Sequence, residues 1–364
     1  MISAMNEITG KKMRISILIP AHNEELSIAA CVQSCLNQSR MPDEIIVVND
    51  GSTDRTGEIL AAFKEDITNV YGNLISVVTI PVATGSKSYA QEYGLKFITG
   101  DIFIATDGDT VLHHDFVKYI EEDFRDESVS AIAGYVRSMK YNWLTACRAV
   151  EYVIGQNIHK LAQHHINFLF VISGAAGAFR TKDFFKYIPF GHDTLTEDLD
   201  FTYWFHELGL KVSYDTRVVA FTQDPVNIPS YINQIRRWFG GGWQCLIKHR
   251  ELVFREPRVA FEISLMYGEN IAFSILLFLL PFLSLSYFAF FIFMYLAVGH
   301  ILAVFAAWKE KRLELIFVPI LYLFLTYINA YIFLEQMVRV VFLRQNKLDW
   351  FHPKRVSIPN SLHI

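Results

Sequence analysis

Cysteine is scarce in this chain, and none of it is spaced for chemistry. The four cysteines, Cys31, Cys35, Cys147 and Cys245, form no C-x-x-C pair and no zinc-type pattern, which excludes a zinc ribbon and a dithiol redox site. Cys31 and Cys35 share one face of an expected helix and read as packing residues, and reduced thiols fit a cytosolic compartment. No G-x-G-x-x-G follows the first expected strand, which counts against a dinucleotide enzyme. Thr84-Gly85-Ser86-Lys87-Ser88 lacks the G-x-x-x-x-G-K-[ST] spacing of a P-loop. No cleavable signal peptide is expected, because the first residues are polar and basic (Lys11, Lys12, Arg14) and run directly into a strand. No internal repeat or low-complexity tract is evident.

The most informative shortage is a local one, of charge. Asp, Glu, Lys and Arg are all missing from Ile271 to Trp308 and again from Leu315 to Leu334. The first run is longer than the roughly 20 residues a membrane span requires. Up to about residue 256 the chain mixes charged and apolar residues as a soluble domain does, so the net charge of −4 describes neither part. An integral membrane protein is expected, with spans near Val259–Leu283, Leu285–Trp308 and Glu314–Val338. Starting from the cytosol, Lys309-Glu310-Lys311-Arg312 returns inside after two spans, as the positive-inside rule prefers. A third span would place Arg339, Arg344, Lys347, Lys354 and Arg355 outside, against that rule; a re-entrant or interfacial last segment is the alternative. Glu262, Glu269 and Glu335, near or within these segments, are costly unless they line a polar path.

What the polar part does contain is an alternation of strands and helices. Strands are expected at Arg14–Ile19 (ended by Pro20), Glu44–Val48, Leu74–Ile80 and Ile102–Ala105, with helices at Leu26–Leu36, Thr56–Lys64 and Tyr89–Phe97. This predicts an α/β fold with a largely parallel sheet and right-handed crossovers. A further helix is expected over His113–Arg125, a strand at Ala131–Gly134, and helices over Asn142–Ala162 and Phe201–Leu208. His113 and His114 read as a solvated helix start rather than metal ligands.

The last apolar strand of the alternation stops at Asp107-Gly108-Asp109. Unpaired carboxylates inside a sheet would be strongly destabilising, so they belong at the strand's carboxyl end, where open α/β sheets bind ligands. Oxygen ligands of this kind suit Mg²⁺ or Mn²⁺ holding a diphosphate, a plain turn being the alternative. Asp50, at the end of another strand, can accept hydrogen bonds from a base or ribose, and Asp54 is the better helix cap. Lys87 offers a point charge to a phosphate. Ser173-Gly174-Ala175 lies in a small-residue stretch that lets backbone approach a ligand. In Thr196-Glu197-Asp198, the threonine can cap the next helix, or one carboxylate can serve as a general base. Gln234, Arg237 and Trp238 share one face of a helix and offer an amide, a phosphate fork and a stacking plane, although Trp and Arg beside a membrane are ordinary anchors. Gly240-Gly241-Gly242 is expected to loosen the chain before the hydrophobic part.

Taken together, these motifs resemble the membrane-bound processive family 2 glycosyltransferases, the cellulose, chitin, hyaluronan and poly-N-acetylglucosamine synthase group. The resemblance covers roughly residues 14–243. It implies a GT-A nucleotide-sugar-binding fold with a mostly parallel sheet, followed by interfacial helices and C-terminal transmembrane helices. The implied units are a cytoplasmic catalytic domain (1–228), interfacial helices (229–257), a transmembrane region (258–343) and a tail (344–364). Asp198, with Glu197 beside it, is the implied catalytic base. Pro20, Ala21, Asn23, Glu25, Asp50, Lys87, Asp107 and Asp109 are the implied donor wall. Ser173, Gly174, Thr196, Gln234, Arg237 and Trp238 are the implied contacts to acceptor and pyrophosphate. Asp107 and Asp109 would hold Mg²⁺ or Mn²⁺. The implied donor is a UDP-sugar, UDP-GlcNAc favoured, and the implied acceptor an oligosaccharide or a lipid. A bilayer, and a homo-oligomer or an accessory export subunit, are the other implied partners, and nucleic acid is not one. Processive relatives usually carry N-terminal membrane helices, which are not seen here. Single-sugar transfer to a membrane lipid is the alternative activity, and a catalytically idle membrane protein the alternative class.

Overall fold

The computed structural model describes residues 13–345 and 355–358. Lys11, Lys12, Lys347, Lys354 and most of the expected 344–364 tail lie outside the described residues.

The first strand, β1 (Ile15–Ala21), is buried throughout. It is followed by α1 (Ile28–Leu36), β2 (Glu44–Asp50), α2 (Thr56–Tyr71), β3 (Ile75–Ile80), α3 (Lys87–Leu95) and β4 (Ile102–Ala105). Strands β3, β2, β1 and β4 lie side by side in parallel. Contrary to the expected stop at Pro20, β1 continues through it. The Leu18 carbonyl accepts from Thr106 N just past the end of β4, so Pro20, two residues on, turns its missing N–H toward a side where β4 has already stopped.

The sheet then changes sense. β5 (Thr110–Leu112), α4 (Phe116–Asp123), β6 (Val129–Ser138), α5 (Trp143–Ile154), α6 (Lys160–His165), β7 (Gly177–Arg180), α7 (Thr181–Tyr187), α8 (Glu197–Glu207) and β8 (Lys211–Thr222) complete it. β7 inserts antiparallel between β4 and β6, β6 and β8 run parallel, and β5 closes the far edge, giving the order β3-β2-β1-β4-β7-β6-β8-β5. The result is the mostly parallel, curled sheet of a GT-A-like fold. Alternate residues serve its two faces: Ile15, Ile17 and Ile19 join one core, Leu18, Ile46 and Val48 the other. β8 was not legible in the sequence, because its burial alternates with exposed and half-exposed polar positions such as Asp215 and Arg217.

Beyond the sheet come α9 (Ile228–Lys248), α10 (Arg250–Arg255), α11 (Pro257–Leu283), α12 (Leu285–Glu310) and α13 (Val318–Met337). Asn227 caps α9 by accepting from Ser230 N at 3.0 Å. The three glycines do not loosen α9, which runs straight through them. They allow close approach instead: a Cβ on Gly241 would fall on the Thr196 side chain, and one on Gly242 would meet the Tyr267 hydroxyl. Three segments, Pro257–Leu283, Leu285–Glu310 and Leu313–Phe342, are long and apolar enough to cross a membrane. They are not equivalent, since 39% of the third one's apolar window is buried in protein against 6% of the second's. Along α13 and the turn before it, Glu314 pairs with Lys140 at 2.7 Å, Tyr322 bonds Glu151, Asn329 accepts from Tyr231 at 2.9 Å, and Glu335 pairs with Arg236 at 3.0 Å.

Candidate active site

The carboxyl ends of β1, β2 and β4, the loop before α8 and one face of α9 surround a single cavity of about 790 Å³ that continues toward α11 and α13. β1 contributes Pro20 and Ala21, β2 contributes Asp50, α3 contributes Lys87, and the turn after β4 contributes Asp107 and Asp109. Ser173, Gly174, Thr196, Glu197 and Asp198 form the next wall, and Gln234, Arg237 and Trp238 the one after it. Asn23 and Glu25, expected on the donor wall, are not among the lining residues. Asn23 Oδ1 accepts from Thr53 N at 2.8 Å, and Glu25 is exposed with Oε2 accepting from Arg55 N, so both tie the β1–α1 turn to the β2–α2 turn. Glu24 lines the cavity in their place.

The charges in the cavity are arranged in pairs. Lys87 Nζ lies 2.5 Å from Asp107 Oδ1 and 3.2 Å from Glu197 Oε1. Burial works against the Lys87 ammonium, but Asp107 and Glu197 outweigh it and hold its pKa above the ordinary lysine value. Asp198 is half-buried against the small-residue stretch, its Oδ2 accepting from Gly174 N at 3.1 Å. Burial, and then the neighbouring Glu197 charge, raise Asp198 above the usual carboxylate range, with Lys87 and Arg237 opposing. Asp50 Oδ1 and Oδ2 accept from Thr84 N and Oγ1 at 2.9 and 2.7 Å, so this carboxylate also fixes the loop before α3.

α9 aligns the Thr196–Asp198 segment. Gln244 Oε1 accepts from Leu195 N at 2.8 Å, Arg237 donates to Leu195 O at 3.5 Å, and Thr196 packs into the space left by Gly241. Thr196 holds the N-cap position of α8 without a side-chain cap bond; its hydroxyl faces Cys245 Sγ at 3.7 Å instead. Trp238 is backed by the Arg148 guanidinium, 4.7 Å from its ring centre. Gln234 Oε1 is a buried acceptor with no partner among the described residues. His113 and His114 do not line the cavity and are held locally instead: His114 Nδ1 contacts Asn37 O at 2.5 Å, and Asp115 N donates to His113 Nδ1.

Sequence motifs did not single out Arg355. It lies beyond all the apolar helices, yet its Nη1 is 2.5 Å from Asp109 Oδ2 and its Nη2 is 2.6 Å from Glu24 Oε1. Val356 exchanges two hydrogen bonds with the Gln223 side chain, and Tyr141 donates to Ser357 O. Burial pushes Asp109 up to about 7, with Arg355 opposing and Glu24 and Asp107 adding.

The residues present suit a hard divalent cation. Asp107 and Asp109 flank a glycine at the cavity wall, and each already attracts a cationic side chain, so the site favours positive charge. No group of three metal-ligating side chains occurs among the described residues, so further ligands would come from a diphosphate and water.

Comparison with known proteins places this geometry in context. The family model described as Glycosyl transferase family 2 matches residues 16–184, and the one described as Glycosyl transferase family group 2 matches residues 102–309. A poly-beta-1,6-N-acetyl-D-glucosamine synthase of Staphylococcus epidermidis is 27% identical over 236 residues, 64% of this chain and 56% of that protein. The probable glycosyltransferase YdaM of Bacillus subtilis is 28% identical over 260 residues, 70% of this chain and 61% of that protein. The chain thus spans about three-fifths of the length of the curated relatives it matches. The mannosyltransferase PcManGT from Pyrobaculum calidifontis, solved with GDP-Man and Mn²⁺, shares the fold with a TM-score of 0.60 and 16% identity, covering 92% of this chain and 89% of that one.

Proposed function

Because the chain belongs to glycosyl transferase family group 2, we propose that it is an inverting, UDP-sugar-dependent glycosyltransferase that extends a polysaccharide at a membrane. UDP-N-acetylglucosamine is the favoured donor, on the strength of the synthase it resembles. One juxtaposition carries the reading: Asp198, half-buried and bonded to Gly174 N, shares a cavity with Asp107 and Asp109, and Lys87 stands between, touching Asp107 and Glu197.

In this reading the nucleoside lies toward Asp50 and the diphosphate toward Lys87 and Arg237. A Mg²⁺ or Mn²⁺ ion on Asp107 and Asp109 would supply Lewis-acid neutralisation of the leaving diphosphate. The Asp198 carboxylate accepts the proton of the acceptor hydroxyl, whose oxygen forms the new bond to the anomeric carbon. The bond from that carbon to the diphosphate oxygen breaks on the opposite face, and UDP departs with the electron pair. Gln234 Oε1 offers the acceptor a free hydrogen-bond acceptor, and Trp238 a stacking plane. A positioned general base of this kind contributes about 10²- to 10⁴-fold.

Transfer of a single sugar to a membrane lipid is the second reading, supported by the apolar cavity wall of Met266, Tyr267 and Phe333. The test is a screen of UDP-GlcNAc, UDP-Glc, UDP-GlcA and UDP-Gal for UDP release by the purified protein in nanodiscs with Mn²⁺, followed by mass spectrometry. A ladder of oligosaccharides from one donor supports the synthase, and a single glycolipid supports the second reading. No release from any donor rejects both.

A further inference from the structure

Lys87 and Arg355 each hold two carboxylates in the cavity. Lys160 holds none. It opens α6, is 7% exposed and lines the same cavity. Among the described residues no carboxylate pairs with its ammonium, which stands 5.6 Å from the ring centre of Tyr214. A buried ammonium without a counter-ion is strongly unfavourable. Burial accordingly pushes Lys160 down to about 8, against the field of Asp198.

The backbone is shaped to put the side chain there. Between α5 and α6 the helix widens into a π-helical turn, Gly155–His159, which ends at Lys160. Such turns interrupt regular hydrogen bonding and recur at functional sites. The polar neighbours are already committed. Gln156 Oε1 accepts from Tyr214 Oη at 3.2 Å, while Gln163 donates to Glu262 at 2.8 Å and accepts from Phe170 N at 3.0 Å. The ammonium is left without an ionic partner on a residue that lines the cavity.

We propose that Lys160 marks a subsite for an anionic oxygen group, a phosphate or carboxylate, carried by the acceptor. This rests on the glycosyl-transfer reading, because Asp198 defines which end of the cavity receives the acceptor. Lys160 and Asp198 line the same cavity, so a hydroxyl at the second and an anion at the first can belong to one bound molecule. That anion supplies the counter-charge the protein withholds; a neutral acceptor leaves the ammonium buried and unpaired. Two sources share the chemistry: the diphosphate bridge of a lipid-linked sugar, and the carboxylate of a uronic acid.

The experiment uses the full chain in nanodiscs with Mn²⁺ and the donor that gives UDP release. Two matched pairs of acceptors are compared by kcat/KM: polyprenyl-diphosphate-linked N-acetylglucosamine against its neutral decyl glycoside, and a glucuronate-containing disaccharide against its glucose counterpart. At least a tenfold preference for one anionic member is expected, and which pair shows it identifies the source. Lys160→Gln should abolish the preference and Lys160→Arg should keep it, a contrast that a merely structural lysine would not produce. Equal use of both members of both pairs overturns the proposal from the wild-type protein alone, whether or not a variant folds. A preference that survives Lys160→Gln also overturns it. Absence of UDP release with every donor rejects the glycosyl-transfer reading itself, and this subsite with it.

Discussion

Arg355 Nη1 lies 2.5 Å from Asp109 Oδ2, so a residue that follows every apolar helix touches one that precedes them all. Residues in contact share one side of a membrane, and the chain between them crosses an even number of times. Three segments have the length and composition of spans, so at least one of them does not cross. The segment expected not to cross is α13, since the catalytic part grips it and the turn before it at Glu314, Tyr322, Asn329 and Glu335, from one end to the other. The topology expected is a crossing hairpin of α11 and α12, with α13 lying along the interface. This also keeps Arg339 and Arg344 on the side the positive-inside rule prefers. The native cysteines are buried, so single introduced cysteines can report it. In sealed vesicles, Lys96→Cys and Phe342→Cys should react with an impermeant thiol reagent from the same side, and Leu285→Cys from the other. Labelling of Phe342→Cys from the side of Leu285→Cys would overturn the two-crossing topology.

The same pairing bears on metal use. In Arg355→Ala the carboxylates of Asp109 and Glu24 lose their shared guanidinium and present uncompensated negative charge. The Mn²⁺ concentration giving half-maximal UDP release is expected to fall severalfold, with EDTA abolishing and Mn²⁺ restoring activity in both proteins. An unchanged Mn²⁺ dependence would mean that Arg355 and the ion do not compete for Asp109.

Asp200 lies two residues beyond the proposed base on α8 and has a different task. It is fully buried, with Lys248 Nζ at 2.9 Å and His249 Nε2 at 2.7 Å, and so bolts α8 to the end of α9. Asp200→Ala leaves those groups without their shared partner. It should cost about 3–5 kcal/mol of stability, as breaking a buried pair does. Chemical denaturation of the purified protein measures it.

Gly241→Ala probes the alignment without replacing a polar side chain, although the new methyl would meet the Thr196 hydroxyl first. The added methyl falls on Thr196, and overpacking of this kind costs about 1–3 kcal/mol. Because Thr196 leads directly into Asp198, kcat should fall while the donor KM changes little. Steady-state kinetics separate the two.

How much of this was legible in the sequence depended on how local the signal was. The β1–β4 half of the sheet follows from apolar runs with turn residues between them. The Asp107-Gly108-Asp109 turn lies at a strand end because charges cannot sit inside one. β8 was missed because a half-exposed strand carrying Asp215 and Arg217 offers only a faint period of two. Gly240–Gly242 were misjudged because a glycine needed for close helix contact looks the same in sequence as one that breaks a helix. Arg355 and Lys160 could not be found at all. The first reaches the cavity across the whole helical region, and the second is exceptional only in lacking a counter-ion, a property of three-dimensional surroundings.

The pH profile tests the proposed chemistry most directly. A general base works only when ionised, so activity is lost as pH falls through its pKa. In Asp198 that pKa is raised, first by burial and then by Glu197, with Lys87 and Arg237 too weak to cancel the effect. The acidic limb of kcat/KM should therefore lie above the range of an ordinary carboxylate, which ionises near about 4. Asp198→Asn keeps the size and the bond from Gly174 N but cannot accept the proton. It should lower kcat by about 10²- to 10⁴-fold and flatten the acidic limb. The donor should still bind, as read by UDP affinity, since the diphosphate is held elsewhere. An Asn variant that kept both the limb and the rate would assign the proton to another group. Glu197, 3.2 Å from Lys87 Nζ and so already compensated, would then be the one to test.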